Sequence, residues 1–413
     1  MLSHSPLLGL GVENSRGQLS PDGIILARSP CRLALALALA LVCVSTIALA
    51  GCNNNKDRQQ LQDDRAQAQA PAPALRGHSE PASTTAPIDI HGAGATFPYP
   101  LYSKWFAEYQ RVDPRVRINY QSIGSGGGIK QIIERTVDFG ATDAPMTADE
   151  TAKAPARILH VPTTIGAVVV VYNVPGVASG LLMTPETIAG VFLGEITKWN
   201  DPRIAATNPR VSLPENAIAV VYRSDGSGTT SVFTEYLGAV SPAWKEKVGV
   251  GKSVRFPVGL GAKGNEGVAG QVKTTPGAVG YLELAYAKQT NLAYAAVQNL
   301  SGKAAEPSIE SITAAAANVS LPNEGLTVSI VNQPGESAYP IAAFTYLLVY
   351  HDLADPVKAQ ALAQFLWWAI HDGQQYGPPL HYAPLPPPVV TRVEEQLRSL
   401  RANGKPIFLS AVP

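Results

Sequence analysis

The stretch AIAVVY-RSDGSGT-TSVFTEYL, residues 217–237, decides how the rest of the chain is read. Residues 217–222 are a continuous apolar run and predict a buried strand. Residues 230–237 have a helix-like pattern. The seven residues between them offer a cation, an anion, hydroxyls and two glycines at a predicted helix start. Helix N-termini leave backbone N–H groups unpaired and carry partial positive charge. Glycine lets that backbone approach a ligand closely. The stretch therefore reads as strand, anion-binding loop and helix.

The same alternation extends outward. Residues 116–120 predict a short strand. Ile129, Ile132, Ile133 and Val137 lie at helical spacing, which predicts an amphipathic helix over 127–137. Residues 167–172 and 341–350 are apolar runs typical of strands buried on both faces. Residues 357–370, with Trp367 and Trp368, predict a strongly apolar helix. Strands alternating with helices imply an α/β fold with mainly parallel pairing.

Two further Gly/Ser/Thr-rich loops also run into predicted helices. One is residues 92–97, before a helix over about 100–110, and the other is residues 124–128, before a helix starting at Ile129. Glycine and serine are common at any helix start. Three such loops sharing the single arginine of the 223–229 loop are more specific, because open α/β sheets bind ligands where loops converge at strand C-termini.

Bulk composition narrows the classes. With 413 residues there is room for two domains or one bilobal unit. Lys plus Arg equals Asp plus Glu, 32 each, which argues against a nucleic-acid-binding surface. Charged residues make up only 15%, and 36 Gly and 34 Pro imply an ordered fold with many turns. All three cysteines, Cys31, Cys43 and Cys52, fall in the first 52 residues, so the globular part has no disulfide framework and no thiolate metal site.

The N-terminus reads as a targeting segment. Arg28 and Arg32 precede an apolar run over 33–50 that ends Leu49-Ala50-Gly51-Cys52. The run is also long enough for a membrane span, but its end resembles a bacterial lipobox. That resemblance implies a lipoprotein signal peptide over 1–51 and a lipidated Cys52. No methionine lies between Met1 and Met146, so a later start would use a non-ATG codon. Residues 52–90 then read as the lipidated cysteine and a disordered tether.

Longer stretches carry a family resemblance. GAGATFPYPLYSKW (92–105), GSGGGIKQII (124–133), VDFGATDAP (137–145), LGEITKWND (193–201), RSDGSGTT (223–230), GLGAKGNEGVAG (259–270) and GAVGYLELAYA (277–287) closely resemble the substrate-binding subunits of Pst-type ABC phosphate importers. The resemblance covers the whole predicted folded part. It implies the bilobal periplasmic-binding-protein fold, in which two α/β lobes are joined by crossover strands and the ligand sits in the cleft. Lobe one would be 91–168 plus 332–413, and lobe two 169–331.

Carried over motif by motif, the phosphate-binding residues would be Ala95, Thr96, Phe97, Ser125, Asp143, Arg223, Asp225, Ser227, Gly228 and Thr229. Family members often have Ser-Ser-Gly-Gly where this chain has Ser125-Gly126-Gly127-Gly128, which removes one hydroxyl and leaves the Gly126 amide to donate. The resemblance also implies a periplasmic monomer anchored to a membrane through Cys52. Its partners would be inorganic phosphate and the permease subunits of an ABC importer, with the ATPase subunits acting indirectly. No cofactor, metal, catalytic residue or nucleic acid is expected.

The chemistry of these residues suits a protonated oxyanion. Hydroxyls and amides can donate to its oxygens, and Arg223 adds a charge-assisted pair. Asp143 beside an anion makes sense only as acceptor for the ligand's own proton, which sulfate lacks at neutral pH. Asp225, two residues from Arg223, is read as the partner that orients the guanidinium. An Asx-turn before Pro145 is the plainer reading of Asp143.

Other classes fit less well. A binding protein for another tetrahedral oxyanion such as sulfate is the nearest alternative. A phosphatase-like enzyme is further off, because neither Ser125 nor Ser227 sits in a G-x-S-x-G elbow and there is no H-E-x-x-H pair. Gly259, Gly261 and Gly264 fit G-x-G-x-x-G, a weak match read as structural. Gly251-Lys252-Ser253 ends like a Walker motif, but Glu246 stands where its first glycine should be.

Overall fold

A computed structural model describes residues 86–317 and 319–409. The expected signal peptide over 1–51, Cys52 and the expected tether as far as residue 85 lie outside the described residues; residues 88–90, expected to end the tether, belong to a strand.

The main sheet uses nine strands: β1 (Ile88–Gly94), β2 (Val116–Ser122), β3 (Phe139–Thr142), β4 (Ile158–Tyr172), β5 (Ala219–Arg223), β6 (Leu260–Ala262), β7 (Ala278–Glu283), β8 (Ala293–Tyr294) and β9 (Ala342–Tyr350). Their order is β2-β1-β3-β9-β4-β7-β5-β6, with β8 on the end of β4. The expectation of mainly parallel pairing holds only toward the two edges. There β1 pairs parallel with β2 and β3, and β5 pairs parallel with β6 and β7. In the middle, β9 and β4 run antiparallel to each other and to their outer neighbours β3 and β7.

The reason lies in β4, which is longer than the valine run alone predicts. Ile158–Ala167 pairs with β9, and Val168–Tyr172 pairs with β7. One strand thus serves both halves of the sheet, and the two halves are the two lobes of the bilobal fold. Val168 to Val171 are fully buried, each contributing roughly 1.5 kcal/mol or more by leaving water. Pro162 sits inside β4 and cannot donate to the ladder. The register slips there, between Thr345 and Tyr346 of β9. Such bulges re-aim side chains, and Thr345 beside this one faces the candidate site.

The helices pack where their apolar faces predict, with shifted ends. The predicted helix over 127–137 is observed as Ser125–Ile133, burying Ile129 and Ile132. It stops short because Arg135 takes a left-handed φ of 55° and lies over the Tyr350 ring. The helix Pro356–Ile370 is capped by Asp355, whose side chain accepts from the amides of Val357 and Lys358. It buries Phe365 and Trp368 against Tyr109 of the helix Tyr99–Val112.

Candidate functional site

Each of the three predicted loops springs from a strand end. All three are tighter than the sequence reading had them. Gly92, Ala93 and Gly94 belong to β1, which leaves Ala95 to Pro98 as the loop. A side chain at Gly94 would overlap the Ala141 backbone of β3. In the second loop, Ser125 and the three glycines after it are already helical. In the third, the helix is Gly228–Val240 and starts two residues early, with Ser227 as its cap. The Ser227 hydroxyl oxygen accepts the Thr230 N–H at 3.0 Å, the usual way of satisfying one orphan donor.

The ten predicted site residues form one connected cluster. Nine are buried, and Asp225 is half-buried. Arg223 ends β5, and Asp225 holds its guanidinium at both oxygens, from Nε at 2.8 Å and from Nη2 at 2.5 Å. The Gly264 amide also donates to Asp225, at 3.0 Å. Nη1 of Arg223 reaches the Thr229 hydroxyl at 3.4 Å. Of the five guanidinium N–H donors, two are left open. Because Asp225 offsets the charge of Arg223, little net positive charge remains for an anion, and oriented dipoles must supply most of its stabilisation.

Asp143 follows β3 and faces the third loop. Its Oδ1 accepts from the Thr345 hydroxyl at 2.8 Å. Ser125 lies between the lobes, its Oγ accepting the amides of Gly228 at 3.0 Å and Asp143 at 3.3 Å. Burial pushes the Asp143 carboxyl up to about 7, against the pull of the Thr345 bond, the Arg223 charge and the Ser125 hydroxyl. A carboxyl poised there is ready either to accept or to donate a proton-bearing hydrogen bond.

Thr96 completes the cluster. Its hydroxyl accepts from Asn265 Nδ2 at 2.8 Å, and Asn265 also reaches Thr229 at 3.3 Å. The Ala95 amide is spent on Ala141 at 3.0 Å, and the Ala95 carbonyl accepts from Tyr120. The Phe97 carbonyl accepts from the Tyr382 hydroxyl at 2.7 Å. The amides of Thr96, Phe97, Ser125 and Thr229 donate to no acceptor among the described residues. The amide of Gly228 does not stay open, since it goes to Ser125. The Gly126 amide likewise crosses to the carbonyl of Gly226 at 2.9 Å.

Sequence reasoning missed several contributors. Thr345 is the one small polar residue in the apolar and aromatic run of β9, and that was the available signal. Asn265 lies in the 259–270 stretch, where only the glycines drew attention. Tyr281 supports the site from behind, accepting the Arg223 amide at 3.2 Å and bonding the Thr230 hydroxyl at 2.7 Å. Among the described residues no group of His, Cys, Asp and Glu is arranged to hold a metal.

Two lobes on shared central strands, closing over a buried donor-rich cluster, define a solute-binding architecture. The model of the PBP superfamily domain matches residues 79–372, and the chain belongs to that superfamily. Within it, the chain belongs to the family of phosphate-binding proteins PstS. It is 45% identical over 331 residues to the phosphate-binding protein PstS of Pasteurella multocida, covering 79% of this chain and 95% of that one. It is also 45% identical over 315 residues to that of Xylella fastidiosa strain Temecula1, covering 76% and 86%. A solved phosphate-binding protein from Stenotrophomonas maltophilia shares the fold at a TM-score of 0.59 and 18% identity, over 75% of this chain and 93% of that one.

Proposed function

We propose that this protein captures inorganic phosphate between its lobes in the periplasm and delivers it to the membrane subunits of an ABC importer. It does no chemistry on its ligand. The observation that carries this reading is Asp143, a buried carboxyl set among open N–H and O–H donors. A carboxyl in an anion site is useful when the anion brings a proton to share. Open amides at Thr96, Phe97, Ser125 and Thr229, with the free edge of Arg223, supply donors for the other oxygens.

In this reading the ten residues from Ala95 to Thr229 enclose the ligand. Lobe one comprises about 91–168 plus 332–413, and lobe two about 169–331. Docking on one lobe is followed by hinge closure, and the second lobe completes the donor set. The protein acts as a monomer held to a membrane by lipidated Cys52 and a tether. Energy for transport comes from the importer's ATPase subunits. Isothermal titration with phosphate and sulfate tests the reading: phosphate should bind far more tightly, and equal affinities or no heat with phosphate would overturn it.

A further inference from the structure

Lys252 belongs to the second lobe, in the segment after the helix Pro242–Lys247. Its side chain reaches the first lobe, where Nζ donates to the Glu150 carboxylate at 2.8 Å and to the Pro145 carbonyl at 3.1 Å. Both partners lie between β3 and β4, a few residues beyond Asp143. The two charged side chains are largely withdrawn from solvent, 12% exposed for Lys252 and 25% for Glu150.

Both ends of this bridge are fastened. The Lys252 carbonyl accepts the Ser227 amide at 2.8 Å, tying it to the cap of the helix that carries Gly228 and Thr229. Next to it, the Gly251 amide donates to Thr234 Oγ1 of that helix at 3.1 Å. Glu150 is locked by a capping box with Thr147 at the start of the helix Ala148–Lys153. The bridge therefore joins the Asp143 loop directly to the 223–229 loop. The other cross-lobe hydrogen bonds between these loops run through Ser125, Gly126, Gly226 and Gly228, within the loops that form the site. Asn265 and Tyr286 also reach Thr96 from outside those loops, but among the described residues Lys252–Glu150 is the only ion pair that spans the lobes.

We propose that the Lys252–Glu150 pair is a latch that forms on closure and lengthens the time the anion stays bound. The latch rests on the phosphate-binding reading above. A cation near a cleft can also act by steering, attracting the anion during approach, and the two roles separate kinetically. Steering changes the association rate, whereas breaking a desolvated, hydrogen-bonded charge pair changes the dissociation rate.

The test is stopped-flow phosphate kinetics on the full chain and on Lys252→Gln, Glu150→Gln, the double variant and Lys252→Arg. The latch predicts that each single Gln variant releases phosphate at least about tenfold faster with near-unchanged association. The double variant should be no faster than the singles, and Lys252→Arg should restore most of the lifetime. Wild-type dissociation rates in both single variants would overturn it. So would opposite effects of the two substitutions, the sign of a long-range field. If the wild-type chain fails to bind phosphate at all, the functional reading fails; if it binds and the variants release it at the same rate, the latch alone fails.

Discussion

A Cβ on Gly228 would sit 2.5 Å from Oδ2 of Asp143 and 2.5 Å from the Ser125 hydroxyl, although Gly228 belongs to the opposite lobe. Gly228 is the first residue of its helix and has no unusual φ. Alanine there is therefore acceptable to the helix and even favours it. In the hinge-closure reading proposed above, the methyl group meets resistance only when the lobes close. Gly228→Ala should leave thermal stability unchanged or slightly raised while weakening phosphate binding by about 1–3 kcal/mol, the usual cost of overpacking. Calorimetric titration beside thermal melts checks this, and loss of stability in step with affinity would place the effect on folding.

Asp143 gives a prediction in two parts. As the acceptor for a ligand proton, it favours phosphate over sulfate, so Asp143→Asn should narrow the ratio of the two affinities. An unchanged ratio in paired titrations would remove the acceptor role. The second part concerns the ligand-free protein. Burial raises this carboxyl from 3.8 to about 7, so between those values the folded state holds more protons than the unfolded one. Stability then falls as pH rises through that window. The Asn variant lacks this slope, and its advantage over wild type should grow from near pH 4 to pH 7, reaching on the order of a few kcal/mol. Denaturant melts at both pH values measure it, and parallel pH profiles would contradict it.

How much of this could be read beforehand depended on range. Runs such as 167–172 and 341–350 are so apolar that their burial follows from composition, and the glycine-rich loops pointed to the candidate site. What escaped was set by contacts distant in sequence. The extension of β4 back to Ile158 escaped, since the apolar run predicts only 167–172 as strand; there Thr163 of β4 is the extra residue of the bulge, beside Pro162. Antiparallel pairing in the centre follows from strands shared between lobes, which no local pattern encodes. Lys252 was weighed only as the tail of a failed nucleotide motif. Its partners Pro145 and Glu150 lie about a hundred residues away, and only the folded chain brings them together.

Arg223 and Asp225 should differ in what their loss does. The Arg223 side chain is 1% exposed, and Asp225 grips it twice. Arg223→Ala removes two open donors and strands Asp225, and under the proposed reading phosphate affinity should fall by about 2–5 kcal/mol. Asp225→Asn keeps the shape but frees the guanidinium to turn. It should cost less affinity and also lower stability, since it leaves a buried cation without its counter-charge. Near-wild-type binding by Arg223→Ala would mean that the amides alone hold the anion.

Glu283 presents a different case, a carboxyl fully buried at the crossover. It pairs with Val168 in the sheet, at the point where β4 passes from β9 to β7. Its Oε2 accepts the Ala285 amide at 2.8 Å and meets the Tyr382 hydroxyl at 2.9 Å, while Oε1 has no hydrogen-bond partner. Tyr382 has one proton, and its hydroxyl also lies 2.7 Å from the Phe97 carbonyl. Both contacts are satisfied at once if Glu283 is neutral, gives its proton to Tyr382, and Tyr382 gives its own to Phe97.

Burial favours that state and pushes the carboxyl well above its usual range, with the charge of Asp143 adding to it against the Tyr382 and Ala285 bonds. An unpaired oxygen at Oε1 also costs far less on a neutral acid than on a carboxylate. Glu283→Gln should therefore fold near pH 5 with its amide nitrogen donating to Tyr382 in place of the acid, at a cost of about 1–2 kcal/mol, because that nitrogen cannot accept the Ala285 N–H that Oε2 accepts. Since the folded-state value is raised, wild type loses stability as pH climbs above the ordinary carboxyl range, and the Gln variant should lose less. Urea melts at pH 5 and pH 8 decide the matter. An equal loss in both proteins would show that Glu283 is already ionised, leaving Tyr382 to choose between Glu283 and Phe97.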